Sequence, residues 1–330
     1  MLRRAGALTG GATATVVAGS GVASAAKGGA PKGSTAGGNT AEGAGNGSPI
    51  RVIPVPEQAA ARQGSVEVDG ARLVYWDTGG DGAPVVLLHP ASGSAESWPY
   101  QQPFLARAGF RVIGYSRRGA AGSGHGDPER PGTGSGDLLA LADALGLGRC
   151  HVVGVAAGGG IALDHALRYP ERLRSLTLAG SVTGVQEPEY RALLASLRPA
   201  AWNSLPAAFR ELGPAYRAAD PAGVARWVEI NRRAVAGRPL TQPHAVRATW
   251  AHLAALTVPT LLLWGDGDLY TPPPLQRLLA ARLPRVRTQV LDECGHNAHW
   301  ERSDLFNPAL LRFLKRRPTA RTSEARTPAG

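Results

Sequence analysis

The chain has 330 residues, 43% of them hydrophobic, a formal net charge of +11 and a pI near 10.4. That is enough for one large α/β domain with an insertion or for two small domains, and two cysteines, Cys150 and Cys294, exclude a disulfide framework or a cysteine metal site. The basic excess is almost all arginine and carries no nucleic-acid motif or aromatic–basic interleaving, so it reads as compositional bias with a solvated basic tail at 317–330 rather than as a nucleic-acid surface.

The first fifty residues differ from the rest. Arg3-Arg4 precedes a weakly apolar stretch to about Ala18, and Val22-Ala23-Ser24-Ala25 has the small-residue pattern of a cleavage site. Residues 1–25 read as a secretory signal, with a hint of the twin-arginine route. They are too few and too glycine-rich to span a bilayer, so no integral membrane segment is expected. Residues 26–64, rich in Gly, Ala, Ser and Asn up to about 49, read as a flexible linker. A secreted or extracytoplasmic protein is the expectation. The competing reading is a misplaced start site and a cytoplasmic protein beginning near Val52.

Alternating strands and helices follow. Ser65–Asp69 and Arg72–Asp77, joined at Gly70, read as a hairpin. Val85–His89 and Arg111–Tyr115 are apolar runs of the kind buried on both faces of a sheet. Leucines 138, 139, 141 and 145 have a helical period. The strand Cys150–Gly154 turns through glycines into a helix from Gly158 to about Tyr169, and Leu173–Ala179 is a further strand. Strands return only at Thr260–Trp264 and Val286–Leu291. Between them, residues 183–256 carry helical signals alone: Tyr190, Leu193, Leu194 and Leu197 on one face, then Asp220-Pro221 capping a helix with Val224, Trp227 and Val228. A final helix spans about Asp304 to Arg316. The expected fold is a doubly wound, mostly parallel sheet, with ligands beyond the carboxyl ends of its strands. The two cysteines fall at opposite edges of that sheet and read as buried structural thiols.

Three strand ends carry the chemistry. Gly154-Val-Ala156-Ala-Gly158 has the glycine spacing of a sharp turn that presents one side chain above a sheet, and that side chain is a methyl group. Asp268 follows the strand at 260–264, with Asp266 as its competitor, and His296 follows the last strand. Elbow, acid and base in this order resemble the α/β-hydrolase family, with alanine in the place of the nucleophilic serine. The resemblance runs from about residue 65 to 316, three quarters of the chain, through five signatures in order. It implies a core of residues 65–182 and 257–316 with a helical lid at 183–256.

By position, the resemblance makes Asp268 the triad acid and His296 the base, and leaves the nucleophile position vacant at Ala156. The oxyanion donors become the backbone N–H groups of Ala157 and Ala91. Pro90 replaces the family's usual glycine, with no N–H and a fixed φ. Arg117 or Arg118 in Tyr115-Ser-Arg-Arg-Gly119 is suited to hold a substrate carboxylate or phenolate in two places. Trp98, Tyr100, Tyr270, His299 and Trp300, with Trp202, Tyr216 and Trp227 of the lid, are candidates for the pocket wall.

Alanine forms no acyl-enzyme, so esterase turnover through Ala156 is excluded. Three readings stay open. One is an enzyme in which His296–Asp268 acts as a general base on a small carbonyl compound, by lyase, cyclase or water-addition chemistry. Another is a ligand-binding pseudoenzyme. The last is a hydrolase with a relocated nucleophile, for which Ser92, Ser116 and Ser123 are candidates. No phosphate loop, dinucleotide fingerprint or metal-ligand spacing occurs, so no cofactor and no metal are expected. Oligomeric state is not legible in the sequence.

Overall fold

The computed structural model describes residues 49–234 and 240–316. The expected signal at 1–25, the linker up to residue 48 and the tail at 317–330 lie outside the described residues. Eight strands form one sheet: β1 (Arg62–Val68), β2 (Ala71–Asp77), β3 (Pro84–Leu88), β4 (Arg111–Tyr115), β5 (Cys150–Val155), β6 (Leu173–Ala179), β7 (Thr260–Gly265) and β8 (Val286–Leu291). Their order is β1-β2-β4-β3-β5-β6-β7-β8. The pairs β1–β2 and β2–β4 are antiparallel and the others parallel. The hairpin closes over Asp69 and Gly70, both at positive φ (44° and 74°), the conformation that a two-residue turn needs to match strand twist.

The continuous apolar strands are buried on both faces because side chains alternate across the sheet. Val86, Leu88, Val152 and Leu262 enter one core with Leu138, Leu141 and Ile161, from the helices Gly134–Ala144 and Ala157–Arg168. Their neighbours Val85, Leu87, Val153 and Leu263 enter the other, against Leu105 of helix Gln101–Arg107 and Phe306 and Leu310 of helix Ser303–Leu314. Each fully buried side chain of this kind stabilises the fold by about 1.5–3 kcal/mol. The parallel strands therefore sit fixed between two layers, and their carboxyl ends share one edge.

Between β6 and β7 the described residues form five α-helices, Pro188–Ser196, Ala207–Glu211, Pro214–Ala219, Pro221–Ala234 and Trp250–Ala255, and a 3-10 turn, Trp202–Ser204. Asp220 accepts from the Gly223 N–H at 2.8 Å, as an N-cap should. Tyr190 and Trp227 are buried. Val228, one residue round the helix from Trp227, is 44% exposed.

Two expectations need correction. The cysteines do not lie at opposite edges: β5 is a central strand and β8 the edge, and β6 and β7 separate them. Both thiols are buried and free. The supposed linker also ends earlier than residue 64. Ile50, Ile53 and Val55 pack on a cluster of Tyr100, Leu212, Tyr216, Trp227 and Trp300. Tyr100 Oη donates to the Ile53 carbonyl at 3.2 Å, and the Gln102 amide bonds both backbone groups of Ala59. Three apolar side chains gain burial here, which a solvated linker would forgo.

Candidate active site

The turn after β5 has the elbow shape although its tip is a methyl group. Ala156 sits at φ 51°, ψ −118°, a conformation that an L-residue adopts only when its surroundings impose it. Those surroundings are specific. A Cβ on Gly154 would come within 2.5 Å of the Gly158 carbonyl oxygen, and one on Gly158 would run into the carbonyls of Leu88 and His89. The Ala156 N–H donates to Ala179 O, and its carbonyl accepts from Gly159, each at 3.0 Å. Two glycines and these bonds hold Ala156, 6% exposed, at the strand's end.

Asp268 and His296 meet as a buried pair. His296 Nδ1 lies 3.0 Å from both carboxylate oxygens of Asp268 and donates its proton there, which leaves Nε2 as the bare, basic nitrogen. Asp268 also accepts from the N–H groups of Tyr270 and Thr271 and from the Thr271 hydroxyl at 2.7 Å. Burial disfavours charge on both partners. Mutual attraction and these donors outweigh it, so Asp268 is held below its ordinary pKa and His296 above its own. The competing Asp266 accepts instead from the N–H groups of Glu293 and Cys294 and shapes the loop before His296.

Pairing of β3 with β5, Leu88 opposite Gly154, sets the loop after β3 beside the elbow. The N–H groups of Ala91 and Ala157 have no acceptor among the described residues. His89 supports this loop. Its Nε2 accepts from the Arg117 N–H at 3.0 Å, so its Nδ1–H donates to Pro90 O at 2.7 Å, and burial together with the Arg117 charge keeps the ring neutral. Pro90, the unusual residue, thus has its carbonyl fixed by His89 and by Arg117 Nη2 at 3.1 Å.

The base is met by Tyr270, an expected wall residue, backed by Trp202, whereas Arg198, Arg210 and Glu211 are neighbours that sequence reasoning missed. The Tyr270 ring stacks on His296 at 4.6 Å, and Trp202 meets Tyr270 edge-on at 4.7 Å. Arg198 and Arg210 both lie over these two aromatic rings, at 5.3–5.9 Å, each with a buried Nε lacking a partner. Neither has an acidic partner among the described residues. Glu211, from the inserted helices, accepts the Ser92 hydroxyl at 2.6 Å and the Asn297 amide at 3.1 Å. A cavity of about 10 Å³ beside Ser92, Asn297 and Trp300 has room for about one water.

Other expected wall residues serve the scaffold. Arg118 is no ligand for a substrate: its buried guanidinium makes a two-pronged pair with Asp137 and bonds Val68 O. Trp98, 1% exposed, belongs to the core cluster beside Leu87 and Leu105 and leans on His299, 4.8 Å away. Arg117 remains beside the site, half-buried and with an unpartnered Nε. Ser116 and Ser123 are engaged with backbone groups of Ala95, Val74 and each other's segment. Of the three serines, Ser92 alone is bonded to a carboxylate, that of Glu211. Nothing in single residues such as Glu211 or Arg198 marked them; only the fold brings a stretch without motif onto Ser92, Asn297 and Tyr270.

A model of the alpha/beta hydrolase family matches residues 85–309. Curated relatives include a 2-hydroxy-6-oxononadienedioate/2-hydroxy-6-oxononatrienedioate hydrolase of Burkholderia vietnamiensis (strain G4 / LMG 22486), 28% identical over 79% of this chain and 97% of that protein. A 2-hydroxy-6-oxo-6-phenylhexa-2,4-dienoate hydrolase of Comamonas testosteroni is 26% identical over 74% of this chain and 92% of its own. Among solved structures, the enol-lactonase from Burkholderia xenovorans LB400 superposes with a TM-score of 0.61, at 24% identity, over 77% of this chain and all of that one; at that identity the likeness concerns the fold.

Proposed function

The chain belongs to the alpha/beta hydrolase family, and from that premise we propose that it is an enzyme that hydrolyses a small keto acid without forming an acyl-enzyme. The observation that carries this reading is the buried His296–Asp268 pair kept alongside an elbow whose tip, Ala156, is only a methyl group. The relatives' named substrates support the substrate class. A hydroxy-oxo-dienoate contains a ketone, a dienol and a carboxylate but no ester or amide, so its hydrolysis breaks a carbon–carbon bond.

In this reading His296 Nε2 takes a proton from a water as that water adds to the ketone. The tetrahedral oxyanion accepts hydrogen bonds from the N–H groups of Ala91 and Ala157, dipoles fixed in advance of the reaction. The dienol ketonises before this addition, its 2-hydroxyl proton passing to the carbon next to the ketone. When the carbon–carbon bond breaks, its electron pair therefore moves through the enone onto the 2-keto oxygen as a dienolate. The imidazolium reprotonates that dienolate while the tetrahedral carbon collapses to a carboxylic acid. The volume that a serine hydroxyl would fill is left to the water. Asp268 holds the imidazole in the required tautomer and stabilises its protonated form. Arg198 and Arg210, with Arg117 on the opposite loop, supply unpaired positive charge for the substrate carboxylate. In this reading the insertion acts as the lid, a role supported by the bonds of Glu211 to Ser92 and Asn297 and by the packing of Trp202 on Tyr270.

The test is turnover of 2-hydroxy-6-oxo-6-phenylhexa-2,4-dienoate, followed by loss of its conjugated absorbance. The native chain is expected to turn over, and His296→Ala to lose about 10²–10⁴-fold in kcat/KM, the usual size of general base catalysis. Binding of the keto acid without turnover would favour the pseudoenzyme reading. One second reading has an observation behind it: the short Ser92–Glu211 bond is what a relocated nucleophile and its base would show. Labelling of Ser92 by a fluorophosphonate would establish it, and full activity in Ser92→Ala would exclude it. For location we propose export, on the signal-like residues 1–25; N-terminal sequencing of the protein from its native cell decides that point.

A further inference from the structure

Glu301 is the last residue of the short helix Ala298–Glu301 and is 3% exposed. Its Oε2 accepts from the N–H groups of Gly213 at 2.7 Å and Gly295 at 2.9 Å, and its Oε1 from Asn297 N–H at 3.0 Å. The Glu211 carbonyl in turn accepts from the N–H groups of His296 and Asn297 at 3.1 and 3.2 Å. Gly213 and Gly295 face each other so closely that a Cβ on Gly213 would lie 2.8 Å from the Gly295 nitrogen. Two segments far apart in the chain, at Gly213 and at Gly295–Asn297, thus converge on one carboxylate.

We propose that Glu301 is a positioning residue that latches the turn 211–213 of the inserted helices onto the loop 295–297, so that docking of the insertion and placement of His296 are one event. The chemistry requires a carboxylate there. Three N–H donors converge from two segments, and above pH 7, where Glu301 is ionised, it offers two acceptor oxygens and no donor and satisfies them all. A glutamine of the same volume would turn an N–H₂ group toward other N–H groups. A latch of this kind makes the base competent only when the insertion is seated, which in an enzyme keeps bulk water from the reacting carbonyl.

The proposal rests on His296 as base for its catalytic consequence, but the latch itself is measured without turnover. In the full chain, amide exchange at Gly213, Gly295 and Asn297 and the His296 Nδ1–H proton resonance are compared between native protein and Glu301→Gln. The expected result is exchange faster by about tenfold or more at those three amides, the loss of a single charge-assisted bond sufficing for that. The His296 resonance should shift or broaden, while the β5 amides of Val152 and Val153 keep their protection. Glu301→Asp, too short to reach both segments, should behave like the glutamine variant. An unchanged resonance with unchanged exchange overturns the latch. Equal loss of protection in β5 overturns it as well, since Glu301 would then support the fold in general. A chain that turns over no keto acid yet shows the expected changes retires the catalytic reading and keeps the latch.

Discussion

At Ala156 the backbone keeps a conformation that costs about 1–3 kcal/mol in a residue with a side chain, and Gly154 and Gly158 admit the close contacts that hold it there. The strain at Ala156 and the buried His296–Asp268 pair are the two features on which the proposed chemistry rests. His296 carries the clearest consequence. Burial opposes its protonation, but Asp268 outweighs burial, with Glu211 and Glu301 adding to it, so its pKa lies above the ordinary 6.5. In the proposed mechanism activity needs the neutral ring. The acid limb of the kcat/KM profile is therefore expected above pH 6.5, and in Glu211→Gln, which loses one of the raising charges, it should move toward acid. A limb at or below pH 6 would contradict the assignment. Ala156, Asp268 and His296 were legible in the sequence because turn glycines and strand ends mark them locally. Arg117 and Arg118 were not separable, since the residue that claims Arg118 is Asp137, in a helix that sequence spacing does not place beside it.

The elements divide between scaffold and site. Helix Gly134–Ala144 is tied to the hairpin through Arg118, whose guanidinium bonds both Asp137 oxygens and the carbonyl of Val68 at the end of β1. Both partners are almost wholly enclosed. Removing one leaves a buried charge uncompensated, so Asp137→Ala should destabilise the protein by about 3–5 kcal/mol in urea unfolding. A loss under about 1 kcal/mol would mean that solvent or Asp69, 3.8 Å away, replaces the partner. The inserted helices were legible as helices, from the spacing of Tyr190 to Leu197 and from the Asp220 cap. Their contribution to the site was not. Glu211 and Arg210 lie in a five-residue helix without periodicity, and their roles arise from contact with Ser92, Asn297 and Tyr270 across the chain.

Across the whole molecule the strand sequence was readable and the strand order was not, because order depends on crossovers that leave no mark within a strand; hence the misplaced cysteines. The folded chain also stores neutral histidines. Burial takes His151 down to about 4 and His299 to about 3, and lowers His89 and His165 as well. A histidine depressed in the fold stabilises it above pH 6.5, and that stability is lost as pH falls toward the folded value. By pH 5, His151 and His299 lose about 2 kcal/mol each. Glu301, pushed by burial up to about 7, acts in the opposite sense and returns about 2 kcal/mol between pH 7 and 5. With His89 and His165 added to the loss, the urea midpoint should fall between pH 7 and pH 5. A higher midpoint at pH 5 would show that these rings are solvated.

The most direct measurement is ester hydrolysis by the full chain, native and Ala156→Ser side by side, with Ala156→Ser/His296→Ala as the third protein. An assembled base and oxyanion hole around an empty nucleophile position predicts that the native chain hydrolyses no simple ester. The serine variant should gain activity that the double variant loses by about 10²–10⁴-fold. Equal ester hydrolysis by native and Ala156→Ser, or no gain at all in the serine variant, would contradict it.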